Sequence, residues 1–106
     1  MPLACAFDQG RLTIEGELVV QELESARPAF AEAAAAPGEL VVDAGGVTRV
    51  DAAGLQMLTA LLQGRSPQTA RLASPPPLVS RALELAGLGP VVAPYMDQAP
   101  RPAPGR

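Results

Sequence analysis

The sequence predicts a single-domain α/β fold: a mixed β-sheet of about four to five strands covered by three to four helices. Three observations predict it. Short runs rich in Leu, Val and Ile alternate with longer segments whose apolar residues recur at helical spacing. Gly and Pro clusters separate the two kinds of segment. The run Leu40-Val41-Val42 lacks polar alternation, as expected of a strand buried on both sides.

Two short strands open the chain. Leu3–Phe7 is apolar, and Arg11–Glu15 alternates Leu12 and Ile14 against Arg11, Thr13 and Glu15. Between them, Asp8-Gln9-Gly10 reads as a hairpin turn with Gly10 free to take positive φ. Gly16 is expected to end the second strand. A helix follows between Gln21 and Ala36, with Leu23, Ala26, Phe30 and Ala33 on one side. It starts either at Ser25 as N-cap, with Pro28 in its first turn, or earlier, with a bend at Pro28. Pro37-Gly38 stops it.

The strand at Leu40–Val42 runs into Asp43, and Ala44–Val50 reads as a loop. Asp51 is an N-cap for a second helix lined by Leu55, Leu58, Leu61 and Leu62 and ending near Gly64. A connector, 65–68, leads to a strand at Thr69–Ala73. Ser74 is expected to cap a third helix with Pro75, Pro76 and Pro77 in its first turn, where missing N–H groups cost nothing. Gly87-Leu88 reads as a Schellman end, and Val91-Val92 as a last edge strand. Strands joined through helices must be parallel, while the opening hairpin is antiparallel. The stretch from Pro94 to Arg106 holds prolines at 94, 100, 102 and 104, which bar a helix or inner strand. The domain is therefore read as 1–93 and the Pro-rich tail as 94–106.

A length of 106 residues suits one domain. With no Trp, one Tyr and two Phe, the core must be built from Ala, Val, Leu and Ile. A formal net charge of −3 argues against a nucleic-acid partner, which usually meets a basic face. Zero His and one Cys remove most metal sites, imidazole acid–base catalysis and an internal disulfide. Cys5 is expected as a small buried hydrophobe, since no His can activate it. No apolar run reaches the ~18–20 residues of a membrane span, so direct membrane insertion is not expected. The first residues lack the basic and long apolar regions of a signal peptide, and a cytoplasmic setting is expected. Neither enzyme activity nor a cofactor is expected.

The segment Leu40–Leu62 carries what chemistry there is. Asp43 ends a buried strand, the usual place for functional loops in open α/β sheets. Asp51 sits at a helix N-terminus, where the dipole favours an anion. Both are equally read as structural, Asp43 as a turn residue and Asp51 as a cap. Two carboxylates without a phosphate-cradling loop make no Mg²⁺ site, and Gly45-Gly46 fits neither nucleotide-binding glycine pattern. Gly54, in the first turn of a helix, costs ~1 kcal/mol against Ala, which implies a close approach to its backbone.

Val41-Val42-Asp43, Gly46-Val47 and Val50-Asp51-Ala52-Ala53-Gly54-Leu55 together resemble the signature of STAS domains, the anti-sigma-factor antagonist family. Leu72-Ala73-Ser74-Pro75 and Arg81–Leu88 are similar to that family's closing strand and third helix. The likeness spans about residues 3–92 and implies a STAS-like fold acting as a non-enzymatic regulatory module. Relatives that switch partners carry a phosphorylatable Ser directly before the motif Gly. Ala53 stands there, preceded by Ala52 where many relatives have Ser or Thr, so this position cannot be phosphorylated. The resemblance implies docking of a protein partner through the loop and helix start at 48–57, with Thr48, Asp51, Ala52, Ala53, Gly54, Leu55 and Met57 at the contact. Asp43 and Gly46 serve as motif residues. The implied partner is an anti-sigma, histidine-kinase-like ATPase or a chemotaxis-type component. The alternative is the ATPase subunit of a phospholipid ABC transporter, gripped by a small cytoplasmic STAS subunit.

Overall fold

The structure, a computed structural model, describes residues 2–96. A four-stranded mixed sheet has the order β1-β2-β3-β4. The strands are β1 (Ala4–Asp8), β2 (Arg11–Leu18), β3 (Leu40–Val50) and β4 (Ala70–Ala73). The helices are α1 (Leu23–Ala35), α2 (Ala52–Gln63), α3 (Pro77–Leu85) and the single turn α4 (Gly89–Val92). β1 pairs antiparallel with β2, and β2–β3 and β3–β4 are parallel. The mixed α/β architecture is the one the segment order implied.

The opening hairpin turns through Gln9 at φ 51° and Gly10 at φ 82°, the paired positive angles that match the twist of the flanking strands. Along β2, Leu12, Ile14 and Leu18 are fully buried while Arg11 and Glu15 are exposed, so one face carries the core. Leu40, Val42 and Leu72 continue that face, and Leu58, Leu62, Val79, Leu83 and Val92 meet it from the helices.

Several expected boundaries move, each for a physical reason. Gly16 does not end β2: it sits inside the strand at φ +95°, buried, where a Cβ would collide with the Pro2 carbonyl. A flexible residue in the strand is thus a packing contact rather than a break. The segment Ala44–Val50 is strand, not loop. Its register against β2 slips twice, between Thr13/Glu15 and Gly16/Glu17. These irregularities break the period-two pattern that would have marked it as strand.

The helix α1 begins at Leu23, the earlier of the two expected starts, with Glu22 at the N-cap position and Pro28 inside. Ser74 caps nothing. It has φ 51°, and α3 starts at Pro77 behind Pro76, which is extended at φ −69°, ψ 160°. A residue before Pro avoids the helical region, so Pro75 and Pro76 delay the helix until the third proline. The end of α3 follows expectation: Leu88 N–H donates to the Leu83 carbonyl at 2.9 Å and Gly87 N–H to Glu84 at 3.0 Å, with Gly87 at φ +75°. Val91 and Val92 lie in α4 rather than in an edge strand, because Pro90 favours a helix start and cannot donate to a ladder. Of the stretch read as a tail, Pro94–Met96 lie against the body. Tyr95 is buried and its hydroxyl donates to the Arg65 carbonyl at 2.7 Å, and Met96 bridges to Leu72 of β4. Positions 97–106 are outside the described residues.

Candidate docking surface at the start of α2

Where β4 ends, opposite Asp43, β3 continues beside β2 alone and delivers the chain to Asp51. Asp51 caps α2: Oδ1 accepts from Gly54 N–H at 2.9 Å. Its second oxygen accepts from Val20 N–H, also at 2.9 Å, and its own N–H donates to the Leu18 carbonyl at 3.3 Å. One carboxylate therefore ties the first turn of α2 to the turn that follows β2. The Val20 and Gly54 amides stabilise its charged form and hold its carboxyl below the usual Asp range, with a smaller contribution from Arg49.

Gly54 is buried, and a Cβ on it would collide with the Leu18 carbonyl oxygen and lie 2.9 Å from the carbonyl carbon. The close approach implied by a glycine in a first helical turn is real. The approaching backbone is the chain's own β2, not a partner's. Leu55 is buried as well, against the core, so neither residue offers surface to another molecule.

Asp43 is likewise engaged internally. Its Oδ1 accepts from Gly45 N–H at 2.9 Å, and Oδ2 pairs with Arg11 on the neighbouring strand at 2.7 Å. The Gly45 amide first, and the Arg11 guanidinium second, lower its carboxyl below the ordinary value. At Gly46 a Cβ would come 2.7 Å from Glu15 Cγ, so the absent side chain lets Glu15 lie across this position.

What the motif presents outward is smaller than the residues named from sequence. Thr48, Arg49 and Ala52 are exposed, and Ala53 and Met57 are half-buried. Thr48 lies at a register slip, between the Gly16–Val47 and Glu17–Arg49 pairs, which places it on an irregular rim. Val20, whose N–H is held by the Asp51 carboxylate, is 57% exposed. Nothing near Val20 in the sequence marks it for a site, because the Asp51 carboxylate that holds its turn comes from 31 positions away. Behind Met57 an apolar groove of about 320 Å³ opens between α1 and α2, lined by Phe30, Ala31, Ala34, Ala60 and Leu61 with Arg27 at its side. Among the described residues the rim is small-residued with Arg49 exposed on it, the groove beside it is apolar with Arg27 at its edge, and neither holds a nucleophile–base pair.

Among the described residues no helix is long and apolar enough to cross a membrane. Two solved structures share the fold. One, the anti-sigma factor antagonist SpoIIAA in its unphosphorylated form, matches at 19% identity over 93% of this chain and 89% of that one, with a TM-score of 0.61. The other, the Bacillus cell fate determinant SpoIIAA in its phosphorylated form, matches at 18% identity over 93% and 92%, with a TM-score of 0.58. No curated protein matches the sequence significantly. A family profile described as "Mlab, STAS domain" matches residues 2–93, nearly everything the structure describes, and the chain belongs to the STAS domain family.

Proposed function

We propose that this domain is a non-enzymatic regulatory module that docks a protein partner on the rim formed by Thr48, Ala52, Ala53 and Met57, with Val20 beside it. The observation that carries the reading is the division of labour within the motif. Asp43, Asp51, Gly54 and Leu55 are consumed in building the turn. They leave a rim of small side chains beside an apolar groove. Such a surface admits another backbone closely and offers no chemistry of its own. Likeness to SpoIIAA, an anti-sigma factor antagonist, supports an anti-sigma type of partner, and the motif resemblance adds a histidine-kinase-like ATPase or a chemotaxis-type component as the form that partner takes. Ala53, without a hydroxyl, leaves this position permanently unmodified. The same residue favours a second reading, the cytoplasmic STAS subunit of a phospholipid transporter bound to its ATPase subunit, a branch that this chain resembles in lacking Ser before the motif Gly.

Substitution Ala53→Asp tests the docking surface. Asp is favoured in the first turn of a helix, so the fold is retained, while bulk and charge are added at the rim. Affinity capture from the native cytoplasm should lose the partner, with binding at least ~10-fold weaker, about 1.4 kcal/mol. Gln68→Ala, exposed beyond the opposite end of β3, should bind normally. Full affinity of a folded Ala53→Asp protein would exclude this rim as the interface.

A further inference from the structure

The outer edge of β1 is open. Val41 N–H donates to the Gly10 carbonyl at 2.8 Å, so Gly10 and Leu12 turn their backbone groups to β3. Arg11, Thr13 and Glu15 therefore bond β1, through Asp8, Ala6 and Ala4 in the register. Leu3, Cys5 and Phe7 point their amides and carbonyls away from the sheet. The Leu3 N–H is taken, donating to Glu22 Oε1 at 3.4 Å. The amides and carbonyls of Cys5 and Phe7 have no partner among the described residues. Nothing blunts this edge: from Leu3 to Phe7 there is no Pro, Gly or charge, and the five pairs with β2 run without a bulge. Cys5 and Phe7 face the core yet are only half-buried, whereas Leu12 and Ile14 on the next strand are fully buried. The core lacks cover on this side.

We propose that β1 accepts an extended segment of a partner protein as a fifth strand, apolar toward the core and basic at its ends. The unpaired groups of Cys5 and Phe7, donors and acceptors at strand spacing, are what such a segment satisfies. Charge defines the rest of it. Glu22 stands at the Leu3 end, and Asp8 is exposed at the other. Glu32 is exposed on the flank of α1 turned away from Arg27, Ala31 and Ala34, which face α2. Since α1 packs against β1 more extensively than against any other strand, that flank borders the open edge. Asp8 and Glu32 have no ion-pair partner among the described residues, and Arg11, across from Asp8, is drawn to Asp43. A second copy of this chain is a poor occupant. Antiparallel pairing of two β1 strands would set α1 against α1 and these carboxylates against their own kind. Basic ends on a foreign strand turn the same carboxylates into attractions.

A peptide alternating Val and Thr with Lys at both ends, and its twin with Glu at both ends, test this on the full chain by amide hydrogen exchange. At ~1 mM the Lys-ended peptide should slow exchange at Cys5 and Phe7 at least ~10-fold. The Glu-ended twin should bind at least ~5-fold more weakly, a difference that shrinks in high salt. Pro at the centre of the Lys-ended peptide should abolish the protection. The double variant Asp8→Lys/Glu32→Lys, at two exposed sites, should keep the melting temperature and reverse the preference between the twins. Exchange at Cys5 and Phe7 unmoved by the Lys-ended peptide overturns the proposal. Equal binding of the twins, or a preference that survives the charge reversal, overturns it too. Protection already present in the free chain and growing with protein concentration would assign the edge to a second copy instead. Protection in the free chain that is lost when it ends at Met96 would assign the edge to the C-terminal segment instead.

Discussion

At the scale of single residues, Asp51 and Gly54 carry more of the architecture than their size suggests. Asp51→Ala removes a cap and the bond to Val20 together and should cost about 2 kcal/mol in urea unfolding. Asp51→Asn can present its carbonyl to only one of the two amides, turning an NH₂ toward the other, and should lose about 1 kcal/mol or more. The acid limb separates the two effects. Folding lowers the Asp51 carboxyl below its ordinary value of ~3.9, so its stabilisation is complete above that pH and is lost as pH falls through the folded value. Unfolding curves of Asp51→Asn should therefore depend less on pH below ~4 than those of the wild type. Gly54→Ala would gain about 1 kcal/mol on an exposed helix. Here the added methyl meets the carbonyl of Leu18, and a net loss of ~2 kcal/mol is expected. The sequence already marked both positions, one as a cap and the other as a glycine that needs a neighbour. It did not show that this neighbour is Leu18, 36 positions earlier, because only the parallel pairing of β2 with β3 brings that carbonyl to α2.

Among the elements, legibility followed periodicity. The helices α1 and α2 and the apolar strands were readable because their side chains repeat on one face, and the Schellman end of α3 because Gly87 and Leu88 have a fixed geometry. The second half of β3 was not, since its register slips and its Ala-Gly-Gly composition erase alternation. Arg65 shows another kind of contact hidden from local sequence. From the end of α2 its guanidinium donates to the carbonyls of Ala33 and Gly38, at 2.9 and 2.6 Å, and also to that of Ala36. These groups close the C-terminus of α1, where carbonyls lack helical partners and a cation is favoured. Arg65→Met, which keeps the stem and deletes the donors, should lower stability by about 2 kcal/mol, seen as a fall in melting temperature of roughly 8–16 °C.

For the whole molecule, the body closes on Tyr95 and Met96 rather than at residue 93. Composition hid this, since a single Tyr among prolines does not announce a buried hydroxyl bonded to Arg65. Ending the chain after Met96 should leave the melting temperature within ~2 °C of the full chain, whereas ending it after Ala93 should cost at least ~5 °C, about 1 kcal/mol. The bridge from Met96 to Leu72 has a further consequence for life at high concentration. β4 is an outer strand, and an outer strand with open amides and carbonyls recruits strands from other chains. Met96 occupies that margin, and the residues after it include prolines, which cannot extend a ladder. Met96 thereby shields part of that margin from other chains. The chain shortened to Ala93 should scatter light and bind thioflavin T on incubation well below its melting temperature, while the chain ending at Met96 stays clear.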